Sequence, residues 1–280
     1  MIRNSAYRMS DKRHQNITIL NRSLKYSIWP GGKQKILCFH GFGQDRYSYE
    51  KICEAMKETH TVYSFDLPYH GETRFPKVEK TLLPADWLEF MTSFFEKEQI
   101  EDFEAMGYSM GGKYAMITAQ LFPEQIKKLH LIAPDGITTH FSYKFTTYPF
   151  LFRKLFKTQI ENPWVFKALV KTLRSLKIMN NYTLRFAESQ MDTEFKRSQV
   201  YYSWVNLRHF LPKLKTLATQ LNEHQTPTYF YIGKHDKVID SKTVAPLHQL
   251  LPKSKMLILD SGHSQLVNSV ANHLASQNRN

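Results

Sequence analysis

A five-residue pattern, Gly107-Tyr108-Ser109-Met110-Gly111, sits between a strand-like run from Asp102 to Met106 and a helix-like run from Lys113 to Leu121, and no other feature restricts the chain as much. A G-x-S-x-G spacing in that setting describes a sharp strand-to-helix turn that lifts a serine hydroxyl above the edge of a sheet. Glycines two before and two after the serine let the backbone close. The helix that follows would aim its first amides at negative charge developing beside the serine. Ser109 is therefore a candidate nucleophile. The pattern alone is weak, because three fixed positions in five recur by chance and then mark only a tight turn. The rest of the chain has to supply what a nucleophilic serine needs.

At 280 residues, one large α/β domain with an insertion fits better than two small domains. Hydrophobic residues at 42% and aromatics at 14% describe a globular chain, neither disordered nor fibrous. No stretch approaches the roughly 18 consecutive apolar residues of a membrane span, and the opening from Met1 to Arg13 lacks the apolar core of a signal peptide, so a cytoplasmic location is expected. Cys38 and Cys53 have no metal-ligand or redox spacing; Cys38 lies in an apolar run that suits a buried thiol, and a disulfide is not expected in that compartment. The net charge of +13 could draw nucleic acid, anionic lipid or acidic substrates. There is no helix-turn-helix, zinc-finger spacing or RNP-type aromatic strand, so nucleic acid is not expected as a partner. No His/Glu or Cys/His spacing points to a metal, and no cofactor is expected.

Along the chain, residues 16 to 28 alternate polar and apolar side chains as an antiparallel hairpin would. Lys35 to His40 is a short continuous apolar run, which suits a strand buried on both faces of a parallel sheet. A helix from Tyr49 to Glu58 and a strand from Thr61 to Phe65 follow. Residues 84 to 98 then carry Trp87, Leu88, Met91, Phe94 and Phe95 at helical spacing. After the serine turn and its helix, Ile126 to Ala133 is another strand. The alternation lapses from 137 to about 210 and resumes with strands at Pro227 to Gly233 and Lys255 to Asp260, each followed by a helix. Such alternation predicts a mostly parallel central sheet with helices on both faces.

A serine hydroxyl needs an imidazole to take its proton, and the imidazole needs a carboxylate to fix its tautomer. Asp236 follows the strand that ends at Gly233, and His263 follows the strand that ends at Asp260. Both therefore fall just beyond the carboxyl ends of strands, where open parallel sheets place their sites. Asp135 also follows a strand. Asp240 reads as a helix N-terminal residue, and His235 as solvent-facing. An oxyanion needs donors, and the loop His40-Gly41-Phe42-Gly43 supplies one. The main-chain amides of Phe42 and Met110 are the candidate pair. His40 and His70 read as loop-ordering residues rather than bases.

With His40-Gly41-Phe42-Gly43, Asp66 to Gly71, Gly107 to Gly111, Gly233-Lys234-His235-Asp236 and Gly262-His263 in place, the chain resembles the α/β-hydrolase fold superfamily from about residue 16 to 275. The resemblance implies a core of residues 1–136 and 211–280, an inserted helical cap of 137–210, a Ser109–Asp236–His263 triad and an oxyanion hole of the Phe42 and Met110 amides. Members that dehalogenate or open epoxides carry aspartate at the turn, so serine implies acyl transfer. The leading expectation is hydrolysis of a carboxylic ester through an acyl-enzyme. Carbon–carbon bond hydrolysis, thioester hydrolysis, lyase chemistry and a non-catalytic ligand-binding role on the same frame are the alternatives.

Residues 137 to 210 hold sixteen aromatics, and twelve Lys and Arg against four Asp and Glu. Aromatics there would make an apolar pocket for a small ester or acyl substrate, while the bases could hold a substrate carboxylate. Most of the aromatics, however, are expected to pack the insertion itself. His40, Gly41, Tyr108 and Trp204 are the candidate pocket residues. The runs Pro149 to Phe156 and Trp164 to Arg174 interleave apolar residues with bases. A solvated basic face is the default reading of them, and contact with an anionic membrane surface the alternative. The sequence does not indicate an oligomeric state.

Overall fold

The computed structural model describes residues 13–19, 22–138, 147–177 and 181–277. The opening segment to residue 12 and the aromatics Phe141, Tyr143 and Phe145 lie outside the described residues. Eight strands form one sheet: β1 (Arg13–Ile19), β2 (Arg22–Trp29), β3 (Gln34–Phe39), β4 (His60–Phe65), β5 (Phe103–Tyr108), β6 (Ile126–Ile132), β7 (Thr228–Gly233) and β8 (Lys255–Leu259). Their spatial order is β1-β2-β4-β3-β5-β6-β7-β8. β1 and β2 pair antiparallel, as do β2 and β4, and all other pairs are parallel.

The burial of the strands follows their place in the sheet. Every residue of β4 and β5 is buried, which requires cover on both faces. The alternation expected through residue 28 stops earlier. Tyr26, Ser27, Ile28 and Trp29 are all buried, because this half of β2 is an interior strand paired with β4 as well as with β1. β8 is a sheet edge, where Ile258 is left exposed.

In α1 (Glu50–Met56) and α2 (Pro84–Glu98), the second buries Trp87, Phe90, Met91, Phe94 and Phe95, a stripe at helical spacing. Leu88 falls off that stripe and is exposed. Trp87 donates its indole N–H to Thr118 Oγ1 at 2.9 Å and packs edge-on against Tyr114, so α2 is pinned to α3 (Gly111–Leu121). α3 is buried from Gly111 to Ala119 and lies on β3, β5 and β6.

From β3 the chain steps outward to β4, then crosses back over β3 to β5 and continues outward to β8. The reversal makes the carboxyl ends of β3 and β5 a topological switch point, the position where open α/β sheets bind ligands. The loop beginning at His40 and the turn at Ser109 follow those two strand ends.

The chain divides into two compact units: residues 1–75, 87–137 and 212–280 form the first, and residues 76–86 and 138–211 the second. The second contains α4 (Phe150–Thr158), α5 (Trp164–Ser175), α6 (Asn181–Gln190) and α7 (Glu194–Asn206). Residues 76–86 are held in the second unit by hydrogen bonds, although they fall within the 1–136 core expected from the sequence. The Leu82 amide donates to the Asn206 carbonyl, the Asn206 amide side chain to the Val78 carbonyl, and the Tyr201 hydroxyl to Glu79. In the first unit, α8 (Leu214–Glu223) packs on α3, while α9 (Ser241–His248) and α10 (Leu266–Gln277) follow β7 and β8.

Candidate active site

Ser109 has φ of +50°, a left-handed conformation that costs a residue with a Cβ on the order of 1–3 kcal/mol. Three main-chain hydrogen bonds hold it there. Its amide donates to the Ile132 carbonyl at 2.9 Å, and its carbonyl accepts from Gly112 and Asp135 at 2.8 Å each. The flanking glycines are required by close approach. A Cβ on Gly107 would lie 2.4 Å from the Gly111 carbonyl oxygen, and one on Gly111 would lie 1.8 Å from the carbonyl oxygen of Phe39. The start of α3 therefore presses on the end of β3, and Met110 sits beside the loop that begins at His40.

Asp236 and His263 reach the same turn from the ends of β7 and β8. His263 Nε2 lies 3.3 Å from Ser109 Oγ, and His263 Nδ1 lies 2.6 Å from Asp236 Oδ2. The other carboxylate oxygen, Oδ1, accepts from the Val238 and Ile239 amides at 2.8 and 3.0 Å. A carboxylate only accepts, so Nδ1 carries the proton and Nε2 presents a lone pair to the serine. Asp135 has a different partner, the Lys113 ammonium at 2.7 Å. Asp240 caps α9 by accepting from the Thr243 amide, and His235 faces solvent beside Asp260.

The amides of Phe42 and Met110 donate to no acceptor among the described residues, which leaves both available to a developing oxyanion. Their loop is locally closed: Gln44 Oε1 accepts from the Gly41 amide at 3.0 Å, and the Gln44 amide donates back to the Gly41 carbonyl. Beneath it, His40 is fully buried. Its Nε2 accepts from the Leu67 amide at 3.1 Å, so its Nδ1–H donates to the Gly41 carbonyl at 2.7 Å. Burial lowers its pKa to about 4. His70, its neighbour, is lowered to about 3 by burial and by His40. The two histidines tie the loop after β3 to the loop after β4.

The four candidate pocket residues divide. His40 has no exposed surface and orders the loop, because its ring points inward and both nitrogens are engaged by main chain. Gly41 is buried, and a Cβ there would meet the Tyr108 ring at 2.8 Å. Tyr108 is nearly buried, packs its ring on His263 and donates its hydroxyl to the His263 carbonyl at 2.9 Å. It supports the histidine. Trp204 belongs to the second unit, where it is 37% exposed and lies near Phe156.

Two supporting groups, Gln44 and Tyr108, have roles that carry no signal in the sequence. Gln44 closes the amide loop, and Tyr108 braces His263. Asp66, completely buried, pairs with Arg46 and accepts from the Arg46 and Glu72 amides. Gly71, at φ of +51°, leaves room for that carboxylate. The segment from Asp66 to Gly71 could be singled out from sequence; its partner Arg46, twenty residues earlier, could not. No cluster suited to a metal ion occurs among the described residues.

The model of the alpha/beta hydrolase fold family matches residues 35–269. The uncharacterized hydrolase YugF of Bacillus subtilis (strain 168) is 24% identical over 242 residues, covering 83% of this chain and 84% of its own. A Mycoplasma pneumoniae protein provisionally named esterase/lipase 3 is 25% identical over 247 residues, covering 85% and 82%. Among solved structures, a thermophilic esterase from Thermogutta terrifontis superposes with a TM-score of 0.68 at 15% identity over 95% of this chain and 97% of that one, a likeness in fold.

Proposed function

The chain belongs to the α/β-hydrolase fold family, and from that premise we propose that it is a serine hydrolase cleaving a carboxylic ester or related acyl bond. The observation that carries this reading is the continuous line from Asp236 Oδ2 through His263 to Ser109 Oγ, at 2.6 and 3.3 Å. Ser109 is the nucleophile, His263 the general base and Asp236 the carboxylate that orients it. His263 Nε2 takes the serine proton as Oγ attacks the acyl carbon, and the Phe42 and Met110 amides receive the oxygen's negative charge. His263 then returns the proton to the leaving alcohol, leaving an acyl-serine. Water, deprotonated by the same nitrogen, attacks that ester and releases the acid. No cofactor enters the cycle.

The provisional name of the Mycoplasma pneumoniae relative, esterase/lipase 3, supports the ester over other acyl bonds. In this reading residues 137–210 are the cap, and the substrate is a small apolar or partly anionic molecule. The test is hydrolysis of p-nitrophenyl esters of increasing acyl length, with a thioester series beside them. Turnover by the wild type and none by a folded Ser109→Ala variant is expected. Unchanged turnover in that variant, or none by the wild type on any member, would overturn the reading.

A further inference from the structure

Helices α4 and α5 carry apolar side chains both toward their own unit and toward solvent. Inward, Phe156 packs on Tyr201 and Val170 is buried. Outward, Phe150 and Leu151 are 70% and 72% exposed, and Trp164 and Leu176 are 62% and 63% exposed. Gln159 links the helices, its Oε1 accepting from the Val165 and Phe166 amides at the start of α5. Large apolar groups left in water on this scale mark a contact surface.

The charges around them define the partner. Residues 150–177 contain seven Lys and Arg and a single acid, Glu161. Arg153 and Lys157 lie near Glu79, and Arg174 pairs with Glu188. Lys154, Lys167 and Lys171 are exposed and make no ion pair among the described residues. On α4, Lys154 stands one turn from Phe150. On α5, Lys167 and Lys171 rim a recess of 290 Å³ that Phe166 and Val170 also line. Helices that offer aromatic and aliphatic side chains with interleaved ammonium groups match a surface that is negative outside and hydrocarbon within.

We propose that α4 and α5 dock on an anionic lipid bilayer, with Phe150, Leu151, Trp164 and Leu176 entering the interface and Lys154, Lys167 and Lys171 meeting phosphate headgroups. Docking is peripheral, since no helix among the described residues is long and apolar enough to cross a membrane. It follows from the surface of the second unit and holds whether or not the ester chemistry does.

The experiment is vesicle flotation with the full chain carrying Ser109→Ala, so that turnover cannot alter the lipid. Phosphatidylcholine vesicles are compared with vesicles containing phosphatidylglycerol. Binding to the anionic vesicles alone, weakening as salt is raised, is expected. Lys154→Gln/Lys167→Gln/Lys171→Gln should lower partitioning roughly a hundredfold at low salt. Leu151→Ser/Trp164→Ser should lower it as well, and circular dichroism verifies that both variants fold. No binding by the folded parent chain would overturn the proposal, as would binding that survives either set of substitutions. Self-association without vesicle binding, removed by Leu151→Ser/Trp164→Ser, would assign the face to a second copy of the chain instead.

Discussion

Asp236 Oδ2 lies 2.6 Å from His263 Nδ1, while Oδ1 accepts two amides of the loop that follows, so the carboxylate is aimed by its own backbone before the histidine arrives. The rival acid, Asp135, spends its charge on Lys113, whose side chain is 9% exposed. The two substitutions should therefore fail in different ways. Asp236→Asn is expected to lower kcat by roughly 10⁴-fold, because the imidazole loses its tautomer. Asp135→Asn should leave kcat within about threefold and instead lower stability by about 1–3 kcal/mol, through loss of the ion pair to the largely buried Lys113 side chain. Ester hydrolysis and thermal melts on the two proteins separate these outcomes.

Two glycines of the site differ in what they permit. A Cβ on Gly111 would lie 1.8 Å from main chain, which cannot move aside without shifting β3 or α3, whereas nothing lies within 4 Å of a Cβ on Gly262. Gly262 also has ordinary extended torsions, φ −90° and ψ 172°. Gly111→Ala should therefore prevent folding or cost more than about 4 kcal/mol, an overpacking effect at its extreme. Gly262→Ala should fold with stability within about 1 kcal/mol of the parent and retain hydrolysis. Denaturant titration of both variants gives the comparison.

The buried histidines predict an acid limit to stability. His40 is lowered by burial from 6.5 to about 4, so between those values the unfolded chain binds a proton that the native chain refuses. More protons on the unfolded state means stability rises with pH in that window and falls as pH drops through it; above 6.5 the effect vanishes. For His40 alone the loss is about 3 kcal/mol, and His70 acts in the same direction. A glutamine at position 40 can keep a donor and an acceptor without titrating. Calorimetry on His40→Gln should show a shallower acid decline of Tm than the parent, and equal slopes would contradict the assignment.

The sheet and the strand ends were legible because their signals are local. An apolar run such as Ile36 to Phe39 describes a strand buried on both faces, and a serine between glycines, an Asp after Gly233 and a His after Gly262 each announce themselves at a strand terminus. The roles of common residues at long range were not legible. Nothing near Tyr108 says that its hydroxyl reaches His263, 155 residues on, or that Gln44 closes the Gly41 loop. Loop sequence also does not tell inward from outward: His40 was a pocket candidate, yet its ring is consumed by two main-chain groups. The second unit was read from where the strand rhythm lapses, and that criterion could not reach residues 76–86, which join it through Asn206 and Tyr201.

Covalent labelling tests whether Ser109 is a nucleophile activated by His263 without knowledge of the substrate. The folded chain is incubated with an alkyl fluorophosphonate, digested and mapped by mass spectrometry. One phosphonate adduct is expected, on Ser109, formed in the parent and slowed by roughly 10³-fold or more in His263→Ala. A folded parent that stays unlabelled at Ser109, or labels there at the same rate without His263, would contradict it.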